Sequence, residues 1–370
     1  MLNSAVPDEI NIEITSRCNM DCIFCPLGVC TRKKQDLPDD SVHKVLDELV
    51  ELKKQGGYIP PITFHCLGEP LLNKHLDEYM SFCDKHEMPY WLVSNGLLFS
   101  DKRCESLFSH SSFQKLEVSF HTISDRSLKM RWGGVRSLLT FDKYTSLIKN
   151  AVFNDVRVKN GIPIQIDVMY DQNLFGGQVF NAFNIEDFLS VCSLMSEWSE
   201  ELINEFPLLK ENNKAFFKHP NKIIKLDGAI VYRNLKDLPK RLFEDLPDNV
   251  KWLSWEFAPK LFLTVKKFFL FTPNEPYLNR ISNGKYSFSL EEAHNFNCCY
   301  SNSLVILSNG DITFCCLDYE GMLACGNISS MSIKEAWMSD KRKVLLNSPD
   351  KCSYCRKCFG RKTLIRKPDQ

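Results

Sequence analysis

Three cysteines near the N-terminus are spaced so that they could share one metal cluster. Cys18, Cys22 and Cys25 form a C-x3-C-x2-C pattern in the loop after the first predicted strand. Thiolates bind iron-sulfur clusters, and three of them can ligate three irons of a cubane and leave the fourth iron open. An open iron can chelate the amino and carboxylate groups of a methionine-like ligand, whose sulfonium then receives an electron. The alternative is a zinc loop or three unrelated thiols, although zinc sites usually show C-x2-C pairs with a second pair nearby.

A second group of cysteines lies towards the C-terminus. Eight of the 16 cysteines follow residue 297, which indicates a separate metal-binding module. An Asn-Gly pair at 309–310 is a strong hairpin signal, and cysteines stand before and after that hairpin. Zinc is the alternative here, because C-x2-C pairs around a hairpin also make zinc ribbons. The cysteines of this module are Cys298, Cys299, Cys315, Cys316, Cys325, Cys352, Cys355 and Cys358.

The segments that must hold these loops alternate between strands and helices. Repeating βα units of this kind give a parallel sheet, which places ligands at the C-terminal ends of its strands. The strands are predicted at INIEIT (10–15), PITFHC (61–66), YWLVSN (90–95), KLEVSFH (115–121) and IPIQIDVMY (162–170). The helices are predicted at SVHKVLDELVELKKQ (41–55), opened by Asp40 or Ser41, at HLDEYMSFCDKH (75–86) and at FDKYTSLIKNAVFN (141–154).

Composition limits the classes of partner and compartment. The chain has 370 residues and is 44% hydrophobic, which is enough for one large domain and a smaller one. Lys plus Arg equals Asp plus Glu at 46 each, so no electrostatic case exists for a nucleic-acid partner. The N-terminal residues show neither a signal peptide nor a membrane-spanning start, which predicts a cytoplasmic protein. Structural disulfides do not explain 16 cysteines in that reducing compartment, so metal or catalytic roles are favoured.

The N-terminal loop, RCNMDCIFCPLG, resembles the three-cysteine loop of the radical S-adenosylmethionine (SAM) superfamily, with an aromatic residue, Phe24, just before the last cysteine. The resemblance implies an α/β fold built as a partial (β/α)6 TIM-like barrel. It also implies a 4Fe-4S cluster that binds SAM and cleaves it reductively to a 5′-deoxyadenosyl radical. An electron donor such as flavodoxin or ferredoxin would supply the reductant. In the family, the aromatic residue lies near the adenine.

Further segments match the family's SAM-binding motifs in order along the chain. Leu67 to Pro70, LGEP, resembles the GGEP segment, in which Gly68 and Glu69 would hold the amino group of SAM; here Leu67 replaces the first glycine. The resemblance implies roles in binding the ribose hydroxyls and the methionine carboxylate for residues at the ends of the later strands. Taken singly, each is an ordinary turn residue or strand cap. These candidates are Ser94, Asn95, Ser119, His121 and Asn173.

The C-terminal module resembles the SPASM and twitch extensions of radical SAM enzymes, which hold an auxiliary 4Fe-4S cluster. Its G-x4-C element fits Gly310 to Cys315. The resemblance implies one complete cluster, and a second one would need Cys316, Cys325 or Cys358 in unusual roles. The implied ligands are Cys298 or Cys299, then Cys315, Cys352 and Cys355, with Cys358 as the alternate.

Two further features have a less specific interpretation. Cys66 ends a strand next to the Gly68 turn, so it is a catalytic candidate as a hydrogen-atom or proton donor, although a buried thiol in the core is the simpler interpretation. Residues 251–273 could form a lid, a partner surface or a helix on a membrane surface with Lys260, Lys266 and Lys267 on its polar side. We favour burial of their aromatic residues in the core. The charges and Pro259 argue against a spanning helix.

The expected organisation is a radical SAM core at 8–170, a barrel completion with an unassigned insertion or lid at 171–290, and an auxiliary-cluster domain at 295–360. The expected function is oxidation, or another modification, of an unactivated C–H position of a small metabolite or carbohydrate. That substrate class is favoured because only 17 residues precede Cys18, which leaves no room for a peptide-recognition domain. Modification of a peptide or protein is the first alternative. A non-catalytic iron-sulfur or zinc protein is the second.

Overall fold

The structure is a computed structural model. It describes residues 7–122, 124–131, 139–170, 185–213, 224–226, 229–232, 252–267, 275–294 and 303–368. Asn173, Cys298 and Cys299 therefore lie outside the described residues, as does most of 171–251. None of the helices within these ranges is both long and apolar enough to cross a membrane.

Short strands and helices alternate along the described chain. The strands are β1 (Glu9–Ile12), β2 (Ile62–Thr63), β3 (Tyr90–Ser94), β4 (Phe113–Val118), β5 (Ile164–Tyr170), β6 (Ile224–Leu226), β7 (Ala229–Tyr232), β8 (Trp252–Ala258), β9 (Leu261–Lys267), β10 (Tyr286–Glu291), β11 (Ser303–Ile306), β12 (Asp311–Thr313), β13 (Gly326–Asn327) and β14 (Arg361–Arg366). The helices are α1 (Asp39–Lys54), α2 (Leu76–Lys85), α3 (Asp101–Ser109), α4 (Asp125–Lys129), α5 (Phe141–Val152), α6 (Asp155–Asn160), α7 (Ile185–Glu205), α8 (Leu208–Asn212), α9 (Glu275–Ser282), α10 (Ile333–Trp337), α11 (Asp340–Asn347) and α12 (Ser353–Phe359).

The chain divides into two compact units. The first comprises Met1–Val93, His110–Phe113 and Leu270–Gln370. Its strands are ordered β13-β12-β11-β1-β2-β3. Strand β1 pairs in parallel with β2 on one edge and with β11 on the other, and β11 turns back into antiparallel β12. The C-terminal hairpin is thus hydrogen-bonded to the first strand of the chain. A separate antiparallel pair, β10 and β14, belongs to the same unit.

The second unit comprises Ser94–Ser109 and Gln114–Phe269. Its strands are ordered β4-β5-β9-β8-β7-β6. Strand β5 pairs in parallel with β4 and β9, while β8 and β9 form an antiparallel pair. Helix α7 packs beside β8, where the Ser199 hydroxyl donates a hydrogen bond to the carbonyl oxygen of Phe257 at 2.9 Å.

The alternating pattern read from the sequence is largely confirmed over residues 9–170. Helix α1 buries an apolar stripe at helical spacing, which includes Val42, Leu46 and Leu49. It begins at Asp39 rather than at Asp40 or Ser41, because Pro38 directly before it has an extended backbone (ψ 137°) and ends the preceding loop. Helix α3 had no counterpart in the sequence prediction. Its polar sequence DKRCESLFS shows only a narrow apolar face, at Cys104, Leu107 and Phe108.

The helix-like sequence SIKEAWMSDKRKVLLN (332–347) forms two helices, α10 and α11, rather than one. The break falls at Ser339, whose hydroxyl accepts a hydrogen bond from the backbone N–H of Arg342 and so caps α11. The hairpin predicted around Asn309 and Gly310 is confirmed by β11 and β12, and Gly310 has the positive φ (87°) that the turn requires.

The structure of residues 252–267 decides between two interpretations of the stretch 251–273, a helix on a membrane surface and burial in the core. These residues form two antiparallel strands, joined by a turn in which Lys260 has φ 63°, so a helix on a membrane surface is wrong for this part of the stretch. Side chains on both faces of this hairpin are buried, and Trp255, Leu261 and Leu263 are fully buried. Burial in the core is therefore confirmed for these residues. The sequence lacks the alternation of apolar and polar residues that predicts a strand, because apolar residues occupy both faces of the hairpin.

Candidate functional site

The N-terminal cysteine loop is a compact turn directly after β1. The backbone N–H of Cys25 donates to the carbonyl oxygen of Cys22 at 3.0 Å, and a 3₁₀ turn, Pro26–Gly28, follows at once. The backbone N–H of Met20 donates to the Cys18 sulfur at 3.4 Å. Hydrogen bonds from backbone amides to sulfur stabilise thiolate ligands, so the local fold suits metal-bound cysteines.

The three thiols of this loop lie within electrostatic reach of one another. The pKa of the Cys25 thiol is raised, first by burial and next by the neighbouring Cys22 and Cys18, while the Arg280 guanidinium opposes the shift. Among the described residues, no three His, Cys, Asp or Glu side chains converge on a point where a single ion could bind. A cubane takes one thiolate per iron, so its ligands surround a larger volume than the ligands of a single zinc.

The LGEP turn packs directly against the backbone that leads into the cysteine loop. Gly68 has φ 83°, and a Cβ atom at this position would lie 2.3 Å from the carbonyl oxygen of Thr15. The backbone N–H of Glu69 donates to the carbonyl oxygen of Arg17 at 2.8 Å. The Glu69 carboxylate is buried and accepts a hydrogen bond from the N–H of Leu71, which opens the next 3₁₀ turn. The backbone of Glu69 is therefore hydrogen-bonded to the residue directly before Cys18.

A small apolar cluster joins these two turns to the C-terminal module. Leu27 from the cysteine loop, Leu67 from the LGEP turn and Tyr319 from the module pack together and are all buried. Cys18, Cys25 and Cys30 pack against the same three side chains. The cysteine loop, the LGEP turn and the module therefore meet at one place within the first unit.

Beside this cluster lies a buried ion pair that sequence analysis missed. Glu13 is fully buried, and its carboxylate accepts two hydrogen bonds from the Arg32 guanidinium, at 2.8 and 3.1 Å. The same carboxylate accepts from the backbone N–H groups of Leu67 at 3.1 Å and Ser308 at 2.8 Å. Arg32 in turn donates to the carbonyl oxygen of Tyr319 at 2.5 Å. One carboxylate thus connects β1, the LGEP turn and the C-terminal hairpin.

The turn that carries Cys315 and Cys316 is held by a buried carboxylate. Asp318 accepts hydrogen bonds from the Thr313 hydroxyl at 2.7 Å and from two backbone N–H groups, those of Met322 and Leu323, at 2.8 Å each. Burial raises the pKa of this carboxyl, and the three hydrogen bonds oppose that shift.

Helix α12 brings the last cysteines towards the same turn. Cys352 is its N-cap, and its sulfur accepts a hydrogen bond from the N–H of Cys355 at 3.5 Å. The Tyr354 hydroxyl donates to the carbonyl oxygen of Leu317 at 2.8 Å, next to the Cys315–Cys316 turn. Cys352, Cys355 and Cys358 are all partly exposed, so they are accessible as ligands.

Comparison with known proteins matches both cysteine regions. A sequence model of the radical SAM superfamily matches residues 12–173, and a model of SPASM, an iron-sulfur cluster-binding domain, matches residues 298–359. The chain contains a radical SAM domain and a SPASM domain. Its predicted cofactors are therefore confirmed as those of a radical SAM domain, a 4Fe-4S cluster and SAM, together with the auxiliary iron-sulfur cluster of a SPASM domain.

The radical SAM chain is similar to several individual proteins. The S-adenosyl-L-methionine-dependent 2-deoxy-scyllo-inosamine dehydrogenase of Niallia circulans is 32% identical over 115 residues, 30% of this chain and 44% of that protein. The match thus spans less than half of that relative. Streptococcus suis SuiB bound to S-adenosylmethionine has a TM-score of 0.54 at 16% identity, over 96% of this chain and 72% of SuiB. BtrN in complex with AdoMet and 2-DOIA has a TM-score of 0.46 at 15% identity, over 95% of this chain and 92% of BtrN.

The likeness to SuiB shows a shared fold. Together with the parallel strands and intervening helices, it confirms the predicted α/β class, a radical SAM partial barrel with a small Cys-rich C-terminal domain.

The remaining candidates for SAM contacts lie in the second unit. Ser94 and Asn95 each bond the backbone of their own turn, since their side-chain oxygens accept from the N–H groups of Gly96 at 3.1 Å and Leu97 at 3.0 Å. The Ser119 N–H donates to the Ser94 carbonyl oxygen at 2.8 Å, which aligns the two strand ends. His121 has φ 38°, a left-handed conformation that few residues other than glycine adopt.

A buried network behind the Ser94–Asn95 turn was also missed by sequence analysis. Arg131 Nη1 donates to the Tyr144 hydroxyl at 2.8 Å, and that hydroxyl donates to the Asn95 carbonyl oxygen at 2.8 Å. Arg131 also donates to the hydroxyl of Thr122 at 3.2 Å. No short motif connects these three residues, so the sequence offered no signal for the network.

Cys66 lies at the boundary between the radical SAM core and the SPASM module. Its sulfur donates to the carbonyl oxygen of Cys316 at 3.6 Å, and burial, together with nearby Glu13, raises the pKa of its thiol. The thiol is therefore protonated, which a hydrogen-atom donor requires. Its role as a catalytic residue stays a prediction.

We expect the Gly68→Ala variant to bind SAM at least about tenfold more weakly, because the methyl group would meet backbone atoms and displace the Glu69 turn. Isothermal titration of the reconstituted protein with SAM measures the change. Gly56→Ala is the matched control, since Gly56 has a similar φ of 77° but nothing within 4 Å of the added Cβ. If the two variants bind SAM equally well, the close packing of Gly68 on Thr15 is unimportant for binding.

Proposed function

We propose that Cys18, Cys22 and Cys25 ligate the 4Fe-4S cluster of a radical SAM enzyme that dehydrogenates a hydroxyl-bearing small molecule. The observation that carries the cluster assignment is the common packing of the cysteine loop, the LGEP turn and Tyr319 in one buried cluster. When bound, the cluster supplies the electron that cleaves SAM to a 5′-deoxyadenosyl radical.

The residues around the loop bind and orient SAM in this proposal. Glu69 pairs its carboxylate with the ammonium group of SAM, and burial of that carboxylate strengthens the pairing. Gly68 lets the turn approach the Thr15 backbone, and Phe24, which is buried, lies against the adenine. The ribose and methionine carboxylate contacts are assigned to Ser94, Asn95, Ser119, His121 and Asn173.

The SPASM module holds one auxiliary cluster in this proposal. Its ligands are Cys298 or Cys299 with Cys315, Cys352 and Cys355, and Cys358 is the alternate. The hydrogen bond from Tyr354 to Leu317 supports this set, because it ties the helix of Cys355 to the turn of Cys315. A fully ligated cluster has no iron open to substrate, so it suits electron transfer. The domain boundaries we propose are 8–170, 171–290 and 295–360.

The proposed net reaction converts a C–H and O–H pair of the substrate to a carbonyl group. The substrate would lose a hydrogen atom to the radical derived from SAM, and then a proton and one electron, which the auxiliary cluster would accept. Support comes from the 32% identity to a 2-deoxy-scyllo-inosamine dehydrogenase over 115 residues. We therefore favour a small carbohydrate-like or cyclitol substrate. The 16 cysteines, which suit a reducing compartment, favour the cytoplasm as its location.

The test uses protein reconstituted anaerobically, reduced, and supplied with SAM and 2-deoxy-scyllo-inosamine deuterated at its carbinol carbons. We expect 5′-deoxyadenosine that carries deuterium and a ketone product in equal amount. The double variant Cys352→Ala with Cys355→Ala should still cleave SAM but form little ketone. Absence of any SAM cleavage, with zinc bound stoichiometrically, would contradict the enzyme assignment. Deuterium transfer from a peptide but from no cyclitol would instead support the peptide-modifying alternative.

A further inference from the structure

Helix α9 contacts the cysteine loop through two side chains one turn apart. Tyr277 is fully buried, and its hydroxyl donates to the carbonyl oxygen of Phe24 at 2.6 Å, directly before Cys25. The other polar contact comes from Arg280, three residues later on the same face. Helix α9 lies in the region that sequence analysis left unassigned, and the contacts of both side chains fall within the first unit.

Arg280 donates hydrogen bonds to residues in the middle of the cysteine loop. Its Nη2 atom donates to the Asp21 carboxylate at 2.5 Å, to the Asp21 carbonyl oxygen at 3.1 Å and to the Cys22 carbonyl oxygen at 3.3 Å. The guanidinium packs against Gly28. A Cβ atom added to Gly28 would lie 2.3 Å from Cζ of Arg280. Residues on both sides of Cys22 and Cys25 therefore contact one cation.

The Nε atom of this guanidinium is buried. Nε of Arg280 has no hydrogen-bond partner within the described ranges, and the Arg280 side chain is only 22% exposed. Its carboxylate partner, Asp21, is 55% exposed, so water screens the negative charge more than the positive one. The positive charge is therefore the less screened charge of this pair.

We propose that Arg280 is a positioning residue that also makes the SAM-binding cluster easier to reduce. A cluster with three thiolates gains one more negative charge on reduction, and a nearby cation stabilises the more negative form. Tyr277 contributes to loop position only, because its hydroxyl carries no charge. The proposal rests on the assignment of Cys18, Cys22 and Cys25 as cluster ligands.

The test is a redox titration of the reconstituted full chain, followed by electron paramagnetic resonance. The cluster to follow is the one whose reduced signal changes when SAM is added. We expect Arg280→Gln to lower the reduced-to-oxidised ratio of that cluster about tenfold at a fixed potential, a shift of about 60 mV to more negative values. Arg280→Lys, which keeps the charge, and Tyr277→Phe should stay close to wild type. Lys285→Gln, which removes an exposed positive charge beyond the end of α9, is the matched control.

Asp21→Asn provides a second test, in which the reduction potential of the cluster is expected to shift in the opposite direction. It removes the exposed carboxylate but leaves the backbone acceptors of Arg280 in place, so the potential should rise. This outcome can be measured even if Arg280→Gln fails to take up iron. An unchanged or lower potential in Asp21→Asn, or an unchanged potential in iron-loaded Arg280→Gln, would overturn the proposal. The ligand assignment fails separately, if the SAM-responsive signal survives replacement of Cys18, Cys22 and Cys25.

Discussion

Replacing Cys18, Cys22 and Cys25 together with alanine is expected to abolish 5′-deoxyadenosine formation. The variant loses every protein ligand of the SAM-binding cluster, so SAM has neither an iron to chelate nor a source of the cleaving electron. Iron per chain should fall by about four atoms, the content of one cubane, while the auxiliary site keeps its own. Iron and sulfide analysis after anaerobic reconstitution, together with chromatography of the reduced SAM reaction, measures both effects.

The matched control replaces three cysteines outside both sets, Cys83, Cys104 and Cys192, with alanine. All three are buried among apolar residues, and burial raises the thiol pKa of Cys104 and Cys192 to about 12. Thiols of this kind stay protonated and pack as small apolar side chains. The control should therefore retain its iron and its SAM cleavage. Retained cleavage in the first variant, or equal loss of iron in both, would rule out the proposed ligand set.

Replacing Glu13 with glutamine is expected to destabilise the protein by about 3–5 kcal/mol. The Arg32 side chain is 6% exposed, so the variant leaves an uncompensated cation in the interior. Glutamine also replaces one carboxylate oxygen with an NH2 donor, which would face an Arg32 N–H together with the backbone N–H of either Leu67 or Ser308. Urea denaturation followed by circular dichroism measures the loss. A second substitution, Arg32→Met, should restore part of the stability because it removes the buried charge.

Asp36→Asn in the exposed pair of Arg17 and Asp36 is the control for this measurement. The two pairs are alike in geometry, since Arg17 also makes two hydrogen bonds to its carboxylate, at 2.9 and 2.6 Å. The side chains of Arg17 and Asp36 are 46% and 35% exposed, so water compensates for a broken pair. Its loss should cost less than about 1 kcal/mol. Similar losses in the two variants would mean that burial does not make the Glu13 pair important.

Chemistry-bearing residues with a short local signature were the easiest to predict from the sequence. The cysteine spacing identified both cluster regions, and the Asn309-Gly310 pair identified the hairpin within the C-terminal region, because each signal lies within a few residues. The strands over 9–170 were also identified, since buried parallel strands are continuous apolar runs.

The buried polar residues were not predictable, because their partners come from distant segments. Glu13 lies in INIEIT, where its polar side chain suggests an exposed strand face. It is buried only because Arg32 and the Ser308 N–H reach it from a later loop and from the far end of the chain. Arg280 shows the same limitation, since a single arginine on a short amphipathic helix has no sequence feature that indicates its contact with Asp21.

The parallel pairing of β1 with β11 has a consequence for synthesis on the ribosome. Residues 9–12 leave the exit tunnel long before their partners at 303–306, which are made nearly three hundred residues later. Until then, one edge of β1 has unsatisfied backbone donors and acceptors, which favour pairing with other chains. The cysteine loop that follows β1 is also without Tyr319 during this interval. We therefore expect the nascent chain to depend on chaperones, and metal to be inserted stably only after residues 303–319 have left the ribosome.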